Sequence, residues 1–207
     1  MTNRTTYDAW LAKASPRAEI VPGLLGSKLL PGALTDPESK SGDPIRAGGY
    51  AEDRSIYTQT LFAPDGEEPR TVHLGIDIFA PAGADVFSPL SGRVHSSRIN
   101  DNPGDYGPTI ILEHDAGGAK FHTLYGHLSR DSLKGLKPGS AFMAGEPIAQ
   151  LGTRRENGGW PPHLHFQIIL EIGDWRGDYP GVCRRSERDH WLSICPDPAP
   201  LLGIVAA

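Results

Sequence analysis

The sequence predicts a mostly β protein, a compact antiparallel β-sheet or sandwich module with irregular N- and C-terminal extensions. Three observations carry that prediction. Short β-prone runs recur about every ten residues between positions 71 and 170, separated by Gly and Pro turn signals. No alternation of strand and helix patterns indicates βαβ units. The 207 residues include 25 glycines and 19 prolines, which favours many turns and short strands over long helices.

Taken in order, residues 1–70 read as an extension. Thr2 to Lys13 fits one short helix with Trp10 and Leu11 on its apolar side. Residues 14–49 are rich in Pro, Gly, Ser and Asp and read as a long irregular segment, mobile or laid over a domain surface. From Tyr50 to Phe62, partial alternation through Ile56, Thr58, Thr60 and Phe62 fits a strand or extended arm. The module at 71–170 holds the runs TVHLGIDIFA, ADVFSP, GRVHSSRI, PTIILEH, KFHTLYGHL, EPIAQLG and HLHFQIIL. Residues 171–207 form a tail that packs on the module. Within it Ser186-Glu187-Arg188-Asp189 resembles a capping box opening a helix through Trp191 to Ile194. Leu201, Leu202, Ile204 and Val205 then offer apolar side chains to the core or to a partner.

The formal net charge of -5 argues against nucleic-acid or anionic-membrane binding. No apolar run approaches the ~20 residues that span a bilayer. The N-terminus lacks the apolar stretch of a signal peptide, so the chain as written reads as cytoplasmic, and as periplasmic or extracellular if a leader has been removed. Cys183 and Cys195 are too few for a disulfide framework and read as two unpaired thiols, with a single staple of the tail as the alternative.

The histidines carry the chemistry. His163 and His165 alternate with Leu164 at the head of a strand, so both imidazoles face one side. His73 and Asp77 are separated by four residues in TVHLGIDIFA, which puts them on one face of an extended segment, with Gly75 keeping that face open. A carboxylate and two imidazoles suit zinc, and three protein ligands leave a fourth position for water, as in catalytic zinc sites. Such an ion lowers the pKa of its water and polarises a carbonyl. His127, in LYGHLS, is a candidate proton acceptor or oxyanion stabiliser. His114 suits a structural or groove-edge role. His95, His122 and His190 read as surface residues, and Glu113 as a solvent-facing carboxylate.

These motifs, in this order, resemble the lysostaphin-like or LytM-type zinc endopeptidases. The chain reads HLGIDIFAPAGADVFSPLSGRV, YGPTIILEH, LYGHLS, GLKPGSAFMAGEPIAQLGT and PPHLHFQI where that family has its H-x-x-x-D, YG, strand-His, YaHL, Gly-rich and HLHF segments. The match spans His73 to Ile169. The resemblance implies a compact antiparallel β fold and one zinc ion per chain held by His73, Asp77 and His165. It implies His127 and His163 as the catalytic pair, and hydrolysis of an amide in a peptide or peptidoglycan cross-link or stem peptide. It allows an upstream tyrosine, Tyr50 or Tyr57, at the groove. RRENGGWPP departs from the family's usual loop before HLHF, so Trp160 can narrow what enters. Weaker alternatives are an intracellular zinc amide hydrolase acting on a small peptide or metabolite, a non-catalytic activator module, and a lipoyl-type carrier. The carrier lacks its Met-Lys turn here. The segment before His73 is a candidate inhibitory arm over the groove.

Overall fold

A computed structural model describes residues 2–13, 18–25, 40–57, 59–64 and 66–204. Eleven strands are present among them: β1 (Arg46–Gly48), β2 (Arg70–His73), β3 (Ile76–Phe79), β4 (Asp85–Phe87), β5 (Gly92–Asn100), β6 (Gly107–Ala116), β7 (Ala119–Gly126), β8 (Ala141–Phe142), β9 (Pro147–Gln150), β10 (Leu164–Ile169) and β11 (Val182–Arg184). Seven form one sheet in the order β1-β3-β10-β7-β6-β5-β8, and β11-β2 and β4-β9 form two-stranded ribbons. The pairings are antiparallel, as the short, turn-punctuated runs predict.

The central strands of the large sheet, β3, β10 and β7, are buried on both faces. Along β10, Leu164, Phe166 and Ile168 point into one core with Ile76, Ile78, Tyr125 and Phe121. His165, Gln167 and Ile169 alternate to the other face, where Ile169 meets Leu124, Ile111 and Val72. Each fully buried Ile or Phe stabilises the fold by about 1.5–3 kcal/mol. That rigidity is why β10 can hold polar side chains at fixed positions.

TVHLGIDIFA is not one extended segment. It breaks at Leu74–Gly75, where the chain leaves the β2–β11 ribbon for β3 of the large sheet. The Leu74 N–H is taken by Gly181 O rather than by a β3 partner. Tyr50–Phe62 is also not a strand. The strand of that region is β1, paired along β3 from Arg46–Phe79 to Gly48–Asp77, and residues beyond it turn.

The N-terminal helix α1 (Asn3–Leu11) opens with Thr2, whose side chain accepts from Thr5 N–H and satisfies a free helix-end donor. Its anchor is Tyr7, fully buried, rather than the half-buried Trp10 and Leu11. The Tyr7 and Trp10 rings meet Phe121 at 5.0 and 5.5 Å. The helix therefore packs behind the sheet, on the face opposite His165.

In the tail, α2 (Arg188–Ile194) begins two residues after Ser186, and no side chain caps it. Ser186 instead bonds the Glu68 carboxylate, so the capping-box expectation fails because a tertiary partner claims the hydroxyl. Helix α3 (Ala199–Leu202) and Ile204 bury Leu201, Leu202 and Ile204 in the core behind the sheet, while Val205 lies outside the described residues. Residues 14–17, 26–39 and Thr58, parts of the irregular segment and of the proposed arm, also lie outside them. Cys183 and Cys195 are buried and unpaired. Among the described residues no helix is long and apolar enough to cross a membrane.

Candidate metal centre

Three adjacent strands set the register of the site. Asp77 on β3 is paired with His165 on β10, which is paired with Gly126, the last residue of β7. His73 ends β2, and its Nε2 lies 2.9 Å from His165 Nδ1 and 3.3 Å from Asp77 Oδ1. Asp77 Oδ1 is 3.4 Å from His165 Nδ1. One ligand atom from each of His73, Asp77 and His165 can be chosen so that all lie within 4.8 Å of one another, and all three side chains are buried.

Hydrogen bonds behind the rings fix which nitrogen faces inward. His73 Nδ1 lies 2.9 Å from Gly49 O, a carbonyl that can only accept. Nδ1 therefore carries the proton, and Nε2 presents its lone pair to the centre. His165 Nε2 lies 3.0 Å from Gln167 Oε1, and the Gln167 amide nitrogen donates to Pro180 O and Cys195 Sγ. That orientation makes Oε1 the acceptor and leaves the His165 Nδ1 lone pair facing His73 Nε2. Two lone pairs 2.9 Å apart repel each other unless a cation lies between them. Asp77 Oδ1, buried and without a hydrogen-bond partner, faces the same point. A site of this donor chemistry fits a divalent cation such as zinc.

Burial, assisted by the neighbouring Arg54 charge, pushes the His73 pKa down to about 4, so the ring stays neutral and able to ligate. Burial opposes ionisation of Asp77, but the Arg54 guanidinium beside it holds the carboxyl well below the usual carboxylate range.

The remaining two histidines stand beside the triad. His127 follows β7 with φ +64°, a left-handed backbone that few non-glycine residues adopt. Its N–H bonds Tyr106 O, and its ring Nδ1 donates to Asn157 O at 3.0 Å. His163 precedes β10 and donates from Nδ1 to Pro161 O at 2.6 Å, and its Nε2 lies 3.7 Å from Asp77 Oδ1. The two rings are 4.2 Å apart between centroids, and Phe79 stacks on His163 at 5.2 Å. Each neutral ring thus keeps a lone pair on Nε2. All five residues line one cavity of ≈ 140 Å³, walled by Tyr57, Phe62, Tyr106, Trp160 and Trp175.

Two placements differ from the sequence reading, those of His122 and His95. His122 is buried, not exposed, and His95 is half-buried. Their rings meet at 4.8 Å across β6, and the 171–180 loop is tied to β5 by Gly177 N–H donating to Ser96 Oγ and Asn100 Nδ2 donating to Gly177 O. Glu113 Oε2 is 3.7 Å from His122 Nε2. His114 is buried beside Ser91 O and Thr123, and His190 is exposed. Of the two upstream tyrosines, Tyr57 lines the cavity, whereas Tyr50 donates to Cys195 O. Sequence reasoning missed Arg54, Gln167, Asn157 and Tyr106. Gln167 was reachable, since it alternates onto the face of His165; Arg54 and Asn157 lie in irregular segments with no periodicity to place them.

The fold and this arrangement of imidazoles and carboxylate define a hydrolase of the peptidase class. Residues 71–175, half of the chain, match peptidase family M23, and the chain belongs to that family. It is 32% identical over 114 residues to the peptidoglycan DD-endopeptidase ShyB of Vibrio cholerae, an alignment covering 53% of this chain and 24% of that protein. The chain thus spans about a quarter of the curated relative it matches. A zinc containing peptidase from Vibrio cholerae is 31% identical over 47% of this chain and 27% of that one, with a TM-score of 0.38. The catalytic domain of lysostaphin from Staphylococcus simulans is 25% identical over 64% and 80%, with a TM-score of 0.41.

Proposed function

We propose that this chain is a zinc metallopeptidase that hydrolyses a peptide bond in peptidoglycan, outside the cytoplasm. The carrying observation is the convergence of the His73 and His165 lone pairs at 2.9 Å with the unpartnered Asp77 Oδ1. His73, Asp77 and His165 would hold the ion. When bound, zinc supplies a Lewis acid that polarises the scissile carbonyl and acidifies water. His127 and His163 act on the substrate side of the site. With Nδ1 of each committed to a carbonyl, Nε2 is the atom that takes a proton from the attacking water and returns it to the leaving amine. In its protonated form the same ring donates a hydrogen bond to the developing oxyanion. The aromatic walls give the substrate chain a place to lie while excluding bulk water. The peptidoglycan assignment rests on the relative's name and on family membership.

Metal analysis of the purified protein, together with release of peptide fragments from sacculi, tests this proposal. One zinc per chain and chelator-sensitive release support it. A protein that binds zinc yet cuts only soluble peptides would overturn the substrate, and one that binds no zinc would overturn the site.

A further inference from the structure

We infer that Arg54 and Gly49, which lie upstream of the segment that matches the family, are positioning residues that aim two of the three ligands at the metal. This rests on the metal-centre assignment above and extends it to a part of the chain that carries none of the ligands.

The geometry is specific. Arg54 is 6% exposed. Its Nη1 donates to Asp77 Oδ2 at 2.6 Å and to Tyr57 Oη at 3.0 Å, and its Nε donates to Glu52 Oε2 at 2.6 Å. The guanidinium therefore occupies one oxygen of Asp77 and leaves Oδ1, the unpartnered oxygen, as the one turned toward His73 and His165. Gly49 O performs the matching task for His73 by holding its Nδ1 proton. The backbone ties both residues to β2, through Ala51 N–H to His73 O, His73 N–H to Glu52 O and Arg54 N–H to Thr71 O. Gly49 has φ +94°, and a Cβ there would lie 1.7 Å from Arg54 Nη2. The loop can thus wrap the guanidinium closely only because residue 49 has no side chain. The same segment begins in β1, paired with β3 next to Asp77.

Partners that hold ligating imidazoles and carboxylates commonly set metal affinity by about 10- to 100-fold. Electrostatics alone would give the reverse sign here, because removing a cation beside the site favours a bound cation. The sign of the change therefore separates positioning from a charge effect.

The test is zinc affinity, measured by competition with a chelating indicator on the full chain, for wild type, R54M and R54K. Thermal melts of the metal-free proteins run in parallel. The expected result is zinc binding weakened about 10- to 100-fold in R54M, with partial recovery in R54K and a folded metal-free protein in each. Wild-type or tighter affinity in folded R54M overturns the inference. Should R54M not fold, the double variant E52A/Y57F keeps Arg54 but strips its other anchors, and is read the same way: severalfold weaker binding supports the inference, and unchanged binding overturns it. If wild type itself binds no zinc, the metal-centre proposal fails instead.

Discussion

His73 Nε2 and His165 Nδ1 face each other across 2.9 Å, each with its other ring nitrogen committed to an acceptor behind it. The His165 ring stands against Gly75, where an added Cβ would meet His165 Cε1, His165 Nε2 and Phe166 O, each at 2.7 Å. Gly75→Ala should therefore push the imidazole off its line and weaken zinc binding at least about tenfold. Zinc retained per chain after dialysis against a weak chelator measures this, and a full complement in the variant would count against the proposed site.

His127→Ala and His163→Ala should separate binding from chemistry. Both residues lie beside the ligand set rather than in it, so each variant is expected to keep its zinc. Each should lose about 10²–10⁴-fold in peptide hydrolysis. Paired metal analysis and turnover assays check both halves, and activity within a factor of a few of wild type would remove the residue from the mechanism.

Tyr7 ties the N-terminal helix to the back of the sheet through Phe121. Tyr7→Ala leaves a cavity there and should destabilise the protein by about 3 kcal/mol, read by denaturant unfolding. The folded fraction should keep its hydrolytic activity, because the helix lies on the face away from His165. Stimulated activity would instead favour an inhibitory role for the N-terminal segment.

Burial, with smaller contributions from His95 and His114, lowers His122 from 6.5 to about 4. Above about pH 6.5 the ring is neutral in both the folded and unfolded chain and does not influence stability. As the pH falls from 6.5 toward 4, the unfolded chain takes up a proton that the folded one refuses, so stability drops across that window. Melting temperatures from pH 7 to pH 4 should fall less steeply in His122→Leu than in wild type. Parallel slopes would mean that His122 titrates normally in the folded protein.

The sequence by itself determined the β class and the grouping of the imidazoles with Asp77. Period-two alternation groups His163, just before β10, with His165 on it, and it needs no tertiary information. Ordered motifs add His73, Asp77 and His127 by kinship. The same logic fails at TVHLGIDIFA, where one short run supplies two strands of different sheets, because a sheet switch leaves no mark on a short apolar run. It fails again at His122, whose ring meets His95 of β5 across the intervening β6, a contact that only the order of strands in the sheet creates. Only the tertiary structure decided which ring nitrogens point inward, since their acceptors, Gly49 O and Gln167 Oε1, are set by backbone paths and by an amide orientation. It alone placed Arg54 on Asp77, because a turn without periodicity gives no face, and a single buried ion pair is visible only once both its ends are in space.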